Sequence, residues 1–383
     1  MSDTPIPFGK PQLDDAAFDA VRAVLESGML VHGTVTPAFE DAFAARIGAK
    51  EAVAVSSCTA GLHLTLFVRG IGPGDRVAVP AMTHVATAHS VELQGAEPVF
   101  IDVDPATGNM DPAKLEAVDG PLAAIMPVHY LGLPCDMDRI NAVAEAKGAF
   151  VLEDCALAVD SKWGDDKAGT LGLAGSFSFY PVKHMTSIEG GMVTTNDSDL
   201  ATELRRRRAF GYNRALGERA RPGIYDVDAL GMNYRMSEVE AAVGLSQMNR
   251  LDDFMAARSA NDATLRAILS EIDGLTVFPD RIGKALSSHY CLNAVLPLDG
   301  SVSRDKVVDG LKDRGIGSSV HYPGPVPLFT YYQGKYGYKA GDFPVAEWLA
   351  EQTISLPVGP HLGPDGAKRV GEAFREAYNS AIA

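Results

Sequence analysis

Cysteine is scarce: there are four in 383 residues, Cys58, Cys135, Cys155 and Cys291, far apart and with no CxxC pair. That spacing suggests neither a zinc site nor a disulfide framework, so free thiols and no metal are expected. Any run of about 18 apolar residues is also missing, which argues against a membrane-spanning helix. The start "MSDTPIPFGKPQLDD" lacks the basic-then-apolar pattern of a secretory signal. The expected address is the cytoplasm. Positive charge is in deficit, with 34 Lys and Arg against 49 Asp and Glu and a net charge of −15 at pH 7. Such a surface repels nucleic acid, and a phosphorylated ligand has to be held locally, by amides at a helix start or by a few placed cations. The one basic run, Arg205 to Arg208, follows the helix-like "DSDLATEL" and reads as a solvated helix face or an ion-paired interface. The chain has no internal repeat, low-complexity tract or flexible linker of note.

The composition that remains is ordinary globular material, 46% hydrophobic and 22% charged, long enough for two or three packed domains. Seven short runs rich in Val, Ile, Ala and Phe recur through the first half: "AVAV" from Ala52, "VAVP" from Val77, "PVFIDV" from Pro98, "AAIMPV" from Ala123, "AFVLED" from Ala149, "SFSFY" from Ser176 and "GMVTT" from Gly191. Most are separated by segments with helical spacing, such as "AGLHLTLFVRG" and "DMDRINAVAEAKG". Alternation of this kind predicts an α/β domain whose mainly parallel sheet is covered on both faces. The last two runs have no helix between them and are expected to pair as a hairpin or to include an antiparallel member. Ser237 and Glu240 form a capping-box pattern that opens a long amphipathic helix, expected to leave the first domain. Strand-like "HYCLNAVLPL", helical "SRDKVVDGLKDRG" and the closing "GAKRVGEAFREAYNSAI" then predict a smaller α+β domain. The expected division is residues 1–250 and 251–383.

In open α/β sheets ligands bind beyond the carboxyl ends of the strands, so the residues following each apolar run carry the chemistry. After "AVAV" comes "SSCTAGLHL", small hydroxyl residues ahead of a helix whose first amides can hold a phosphate. Taken alone, Ser57 or Thr59 is a plain helix cap. After "AFVLE" comes Asp154, which alone could cap a loop or pair with a surface cation. Ser178 lies within "SFSFY", and where that run stops stands Lys183, which alone could snorkel to solvent. Together, a phosphate cradle, an acid at a strand end and a lysine emerging from an apolar layer match the needs of pyridoxal 5′-phosphate: an anion site, a carboxylate beside the ring nitrogen and an amine for the aldehyde.

The runs "SSCTAGLHLTL", "PAMTHVATAHSVELQGAEPVFIDVD", "VLEDCALA", "SFSFYPVKHMTSIEGGMVTTND" and "GMNYRMSEVEAAVGLSQMNRLD" span most of the chain. In that order they resemble the sugar-nucleotide aminotransferases of fold type I, the aspartate aminotransferase-like enzymes that use pyridoxal phosphate. The resemblance implies a seven-stranded sheet in the large domain and a Schiff base on Lys183, whose amine an apolar setting makes reactive and which afterwards shuttles a proton. It places Asp154 at the pyridine nitrogen, Thr59, Ala60 and Ser178 on the phosphate, and His84 against the cofactor ring. Asn233 would reach the phosphate of the neighbouring subunit's cofactor, which implies a homodimer with shared active sites. His321 and Tyr322, Arg235 and the N-terminal "GMLVHGTV" are implied near the sugar or its diphosphate, while Glu189 shapes the turn behind the lysine. The implied reaction moves an amino group from glutamate or glutamine to a keto sugar, a nucleotide-linked 4-keto-6-deoxyhexose, for polysaccharide or antibiotic sugars. Alternatives are a sugar dehydratase, which in this family carries histidine where Lys183 stands, and a non-catalytic protein on the same fold. Three residues depart from the family pattern: Leu157 replaces a polar residue after the acid, Cys58 a glycine of the phosphate turn and Ile188 a glycine before "EGG". The last two are expected to tighten the pocket.

Overall fold

Each apolar run forms a strand with most of its residues buried, as a helix-covered sheet requires. The computed structural model describes residues 4–213 and 224–382. Its strands to this point in the chain are β1 (Glu51–Val55), β2 (Arg76–Pro80), β3 (Glu97–Ile101), β4 (Ala124–Ile125), β5 (Phe150–Asp154), the short β6 (Lys162–Trp163) and β7 (Asp166–Lys167), β8 (Ala174–Ser178) and β9 (Gly191–Thr195). Seven of them make one sheet in the order β1-β9-β8-β5-β4-β2-β3. Pairs β2–β3, β2–β4, β4–β5 and β5–β8 are parallel, whereas β9 runs antiparallel to both β1 and β8. The antiparallel member therefore sits where no helix intervenes, and the β8–β9 connection is the segment that carries Lys183.

The helices of this part are α1 (Asp15–Ser27), α2 (Val35–Ile47), α3 (Cys58–Val68), α4 (Val85–Glu92), α5 (Pro112–Glu116), α6 (Met137–Lys147) and α7 (Ser198–Arg207). Helix α3 is buried almost all round and lies against β8 and β9. A Cβ at Gly61 would fall 2.3 Å from Ser176 Oγ, so only glycine permits that approach. Under α2, Phe39, Phe43, Phe177 and Phe179 interlock with ring centroids 5.0–6.3 Å apart. The basic run at the end of α7 is ion-paired within the chain: Arg205 with Glu51, Arg206 and Arg207 with Glu203, and Arg208 with the buried Glu40.

All four cysteines are buried and free. Cys155 lies beside His129 and Glu153, a grouping with metal-ligand chemistry, but the acid is already satisfied. Glu153 accepts from Gly169, Leu171 and Gly172 amides, each at 2.8 Å. His129 Nδ1 accepts the Cys135 N–H, so its Nε2 carries the proton given to Glu153 at 2.9 Å. Glu153, held by His129, is a clamp on the 169–172 turn.

The single long helix expected after Ser237 is two helices, α8 (Glu238–Met248) and α9 (Leu251–Leu269). Both arms of the capping box at Ser237 and Glu240 are present. The break falls where Arg250 turns away to ion-pair with Asp14 at 3.1 Å and bond the Gln12 carbonyl at 3.3 Å. Beyond it, β10 (Thr276–Val277), β13 (Cys291–Val295) and β14 (Thr353–Pro357) form an antiparallel sheet in the order β10-β13-β14, packed against α9, α10 (Arg304–Asp313) and α13 (Gly363–Ala381). The ribbon β11 (Arg281–Ile282) and β12 (Ala285–Leu286) pairs with β6 and ties the two halves together. Helices α11 (Thr330–Tyr336) and α12 (Pro344–Gln352) return to the first core, where Asp102 accepts from the Val345 and Ala346 amides that open α12. We keep residues 1–250 and 251–383 as the proposed division, with 326–350 as the part of the second that docks on the first.

Candidate active site

The carboxyl ends of β1, β5 and β8 lie at the same end of the sheet, where α3 packs against β8 and β9. Asp154 ends β5, is buried, and is held by donors on both oxygens: Thr87 Oγ1 to Oδ2 at 2.8 Å and the Ala156 amide to Oδ1 at 3.1 Å. Because Thr87 gives its proton to the acid, its contact with Thr83 at 2.8 Å has Thr83 as donor. The Cys58 thiol lies 3.9 Å from Asp154 Oδ1 and donates to the Ser176 carbonyl at 3.3 Å. Burial pushes that thiol well above its ordinary value, and Asp154 adds to the effect. It is a neutral filler beside the acid.

Lys183 sits in the β8–β9 connection, half-buried, with Nζ 5.3 Å from the centre of the Tyr290 ring. Its backbone is pinned, since its amide bonds the Tyr180 carbonyl at 3.0 Å and its carbonyl accepts from the buried Arg258 guanidinium at 3.2 Å. Burial lowers the basicity of the amine, and the pull of Asp154 in the opposite direction does not offset it.

At the start of α3, Ser57 Oγ accepts the Ala60 amide at 3.0 Å and the Ser57 carbonyl accepts that of Gly61. The amides of Cys58 and Thr59 are left without a protein acceptor among the described residues. The expected phosphate ligand Ala60 thus has its N–H engaged by the cap, and Cys58 offers an amide in its place. Ser178 is half-buried at the end of β8, in register with Gly191, where an added Cβ would come within 2.6 Å of Cys58 N. These groups therefore share one end of the sheet. His84 caps α4, accepting the Ala86 amide on Nδ1 at 3.2 Å, and its ring lies edge-on to Tyr322 at 6.1 Å. Burial, with Lys183 next, lowers its pKa. His321 and Tyr322 are half-buried over the same pocket, their rings 5.4 Å apart.

Other sequence-predicted residues lie outside this group in the single chain. Asn233 is exposed, and Arg235 lies over the Phe210 ring at 4.9 Å, with no described contact to Lys183 or Asp154. Glu189 is exposed, its carbonyl accepting from Ser187 Oγ. The "GMLVHGTV" stretch leads into α2, whose first amides are taken: Glu238 accepts from Val35 N, Thr36 N and Thr36 Oγ1. That helix start is consequently closed to an anionic ligand. Leu157 packs in the main core. Ile188 does not tighten the pocket as expected, for its side chain is 49% exposed and its backbone is left-handed at φ 74°. Sequence reasoning missed Thr87, Arg258 and Tyr290, which touch the acid or the lysine from distant segments.

The model of the DegT/DnrJ/EryC1/StrS aminotransferase family matches residues 11–375. The spore coat polysaccharide biosynthesis protein SpsC of Bacillus subtilis (strain 168) is 40% identical over 382 residues, covering 98% of each chain. Among solved structures, the putative sugar aminotransferase Spr1654 of Streptococcus pneumoniae, in its PMP form, superposes with a TM-score of 0.93 at 26% identity, over 98% of this chain and 100% of that one. Helicobacter pylori PseC, an aminotransferase of pseudoaminic acid biosynthesis, gives a TM-score of 0.91 at 26% identity with the same coverage.

Proposed function

The chain belongs to the DegT/DnrJ/EryC1/StrS family and is a pyridoxal-phosphate-dependent sugar aminotransferase; from that premise we propose that it moves an amino group from glutamate or glutamine to a nucleotide-linked 4-keto-6-deoxyhexose. The observation that carries the reading is Lys183, a half-buried amine of lowered basicity within electrostatic reach of a buried, doubly held acid. The residues present fit the cofactor: α3 offers two amides without acceptors beside Gly191, Asp154 is oriented, and Lys183 brings the amine. When bound, the cofactor supplies an electron sink for bond-breaking at the amine-bearing carbon.

The amides of Cys58 and Thr59, with the hydroxyls of Thr59 and Ser178, would hold the phosphate against the positive end of α3. Asp154 would keep a proton on the ring nitrogen, and the Thr83–Thr87 chain keeps the carboxylate aimed. Lys183 would hold the aldehyde end of the cofactor, and its Nζ would carry a proton from the substrate carbon and back. Burial favours the neutral amine that can accept that proton. His84 would lie against the cofactor ring and exclude water there. Asn233 serves the partner's site in a homodimer, and the exposed Phe18, Leu25, Met29 and Leu30, on α1 and just after it, supply apolar surface for a second copy to cover.

SpsC's part in spore coat polysaccharide and PseC's in pseudoaminic acid biosynthesis support an amino sugar destined for a surface glycan. The test is a panel of nucleotide-linked keto sugars offered to the cofactor-loaded enzyme with glutamate or glutamine, following amine product by mass. One aminated 4-keto-6-deoxyhexose supports the reading. Failure on all of them, while glutamate still converts the cofactor, removes the proposed acceptor.

A further inference from the structure

Four hydrogen bonds close a ring between Tyr130, Asn293, Ser355 and His321, and one group in it fixes the direction of all the others. The Tyr130 hydroxyl donates to the His321 carbonyl, which can only accept. With its one proton so placed, Tyr130 must be the acceptor for Asn293 Nδ2 at 3.4 Å. The amide oxygen of Asn293 then faces Ser355, its direct partner across β13 and β14, and Ser355 Oγ donates to it. Ser355 Oγ is left to accept from His321 Nδ1 at 2.9 Å, so Nδ1 carries the hydrogen. Tyr130, Asn293 and Ser355 are each at most 1% exposed and cannot exchange these partners for water. Cys291 beside them is held as a neutral thiol, its pKa pushed up to about 12 by burial.

A neutral imidazole with hydrogen on Nδ1 has a bare lone pair on Nε2. Burial, with Lys183 and His84 adding to it, drives the His321 pKa down to about 3, so the ring stays neutral. Among the described residues Nε2 has no protein partner, and the ring sits among Phe8, Tyr290 and Tyr322 at the pocket that holds Lys183. We propose that Ser355, Asn293 and Tyr130 are positioning residues that lock His321 as its Nδ1–H tautomer, so that Nε2 accepts a hydrogen bond from a hydroxyl of the bound sugar. This rests on the sugar-aminotransferase reading and sharpens it. A lone pair repels a diphosphate oxygen, so of the two contacts the sequence suggests for His321, the locked tautomer permits the hydroxyl.

The test is a long-range ¹H–¹⁵N correlation spectrum of holoenzyme labelled at histidine, with His321 assigned by His321→Gln. Native protein at pH 7 is expected to show His321 protonated at Nδ1 and bare at Nε2. Ser355→Ala is expected to lose that preference and to raise KM for the keto sugar about tenfold, with a smaller change in kcat. Ser355→Thr, which keeps the hydroxyl, is expected to restore both. A native His321 protonated at Nε2 or at both nitrogens overturns the proposal without any variant. So does a folded Ser355→Ala protein with unaltered tautomer and KM. The spectrum reads the ring whatever substrate is turned over, so an intact Nδ1–H signal with no aminated sugar from any acceptor would instead count against the function proposed above.

Discussion

Lys183 Nζ lies over the Tyr290 ring, and its lowered basicity comes from burial. Lys183→Ala removes the proposed cofactor anchor and proton carrier, and turnover is expected to fall by about 10⁴-fold or more while the melting temperature holds. Thr87→Val keeps the shape but leaves Asp154 Oδ2 without its donor. A loss of about 1–3 kcal/mol of transition-state stabilisation follows, roughly five- to 150-fold in kcat/KM, and an unchanged value would show that Thr87 does not orient the acid. Ile188, a β-branched residue at φ 74°, holds a conformation that glycine adopts freely. Ile188→Gly is expected to stabilise the protein by about 0.5–1 kcal/mol in denaturant unfolding. Lys183 and Asp154 were legible in the sequence because each ends an apolar run. Thr87 was not, since its partner lies 67 residues away and nothing local distinguishes a threonine that caps from one that aims a carboxylate. The same holds for Asn293 and Ser355, joined across 62 residues.

Helix α2 illustrates how an element depends on a distant one. Thr34, its own N-cap, makes no capping bond, and Glu238 from the first turn of α8 satisfies the start instead. Glu238→Ala would strand three donors in a buried setting, and a loss of about 3 kcal/mol is expected in thermal or denaturant unfolding. The seven strands were legible because a sheet covered on both faces needs continuous apolar runs, and the antiparallel β9 because a missing helix leaves only a short connection. The break between α8 and α9 was not, for apolar periodicity continues across it and the interruption is set by Arg250 reaching Asp14 and Gln12. The return of α11 and α12 to the first core likewise follows from Asp102 capping α12, a contact across 244 residues.

Across the whole molecule, buried and half-buried histidines set the acid side of stability. His184, His321, His63 and His361 are all held below their ordinary value, chiefly by burial. The unfolded chain takes up protons at these rings below about pH 6.5 while the folded one does not, so stability is greatest above that pH and declines as pH falls. For His321 the decline continues to about pH 3 and reaches up to about 1.4 kcal/mol per pH unit. Melting temperatures are expected to drop between pH 7 and pH 5, and a flat profile would contradict the burial of neutral rings. The central claim is that the amine of Lys183, and no other, meets the cofactor. Borohydride reduction of the cofactor-loaded enzyme followed by peptide mapping tests it directly: the account predicts cofactor mass on the peptide containing Lys183, lost in Lys183→Ala, whereas label on a different lysine, or none, would contradict it.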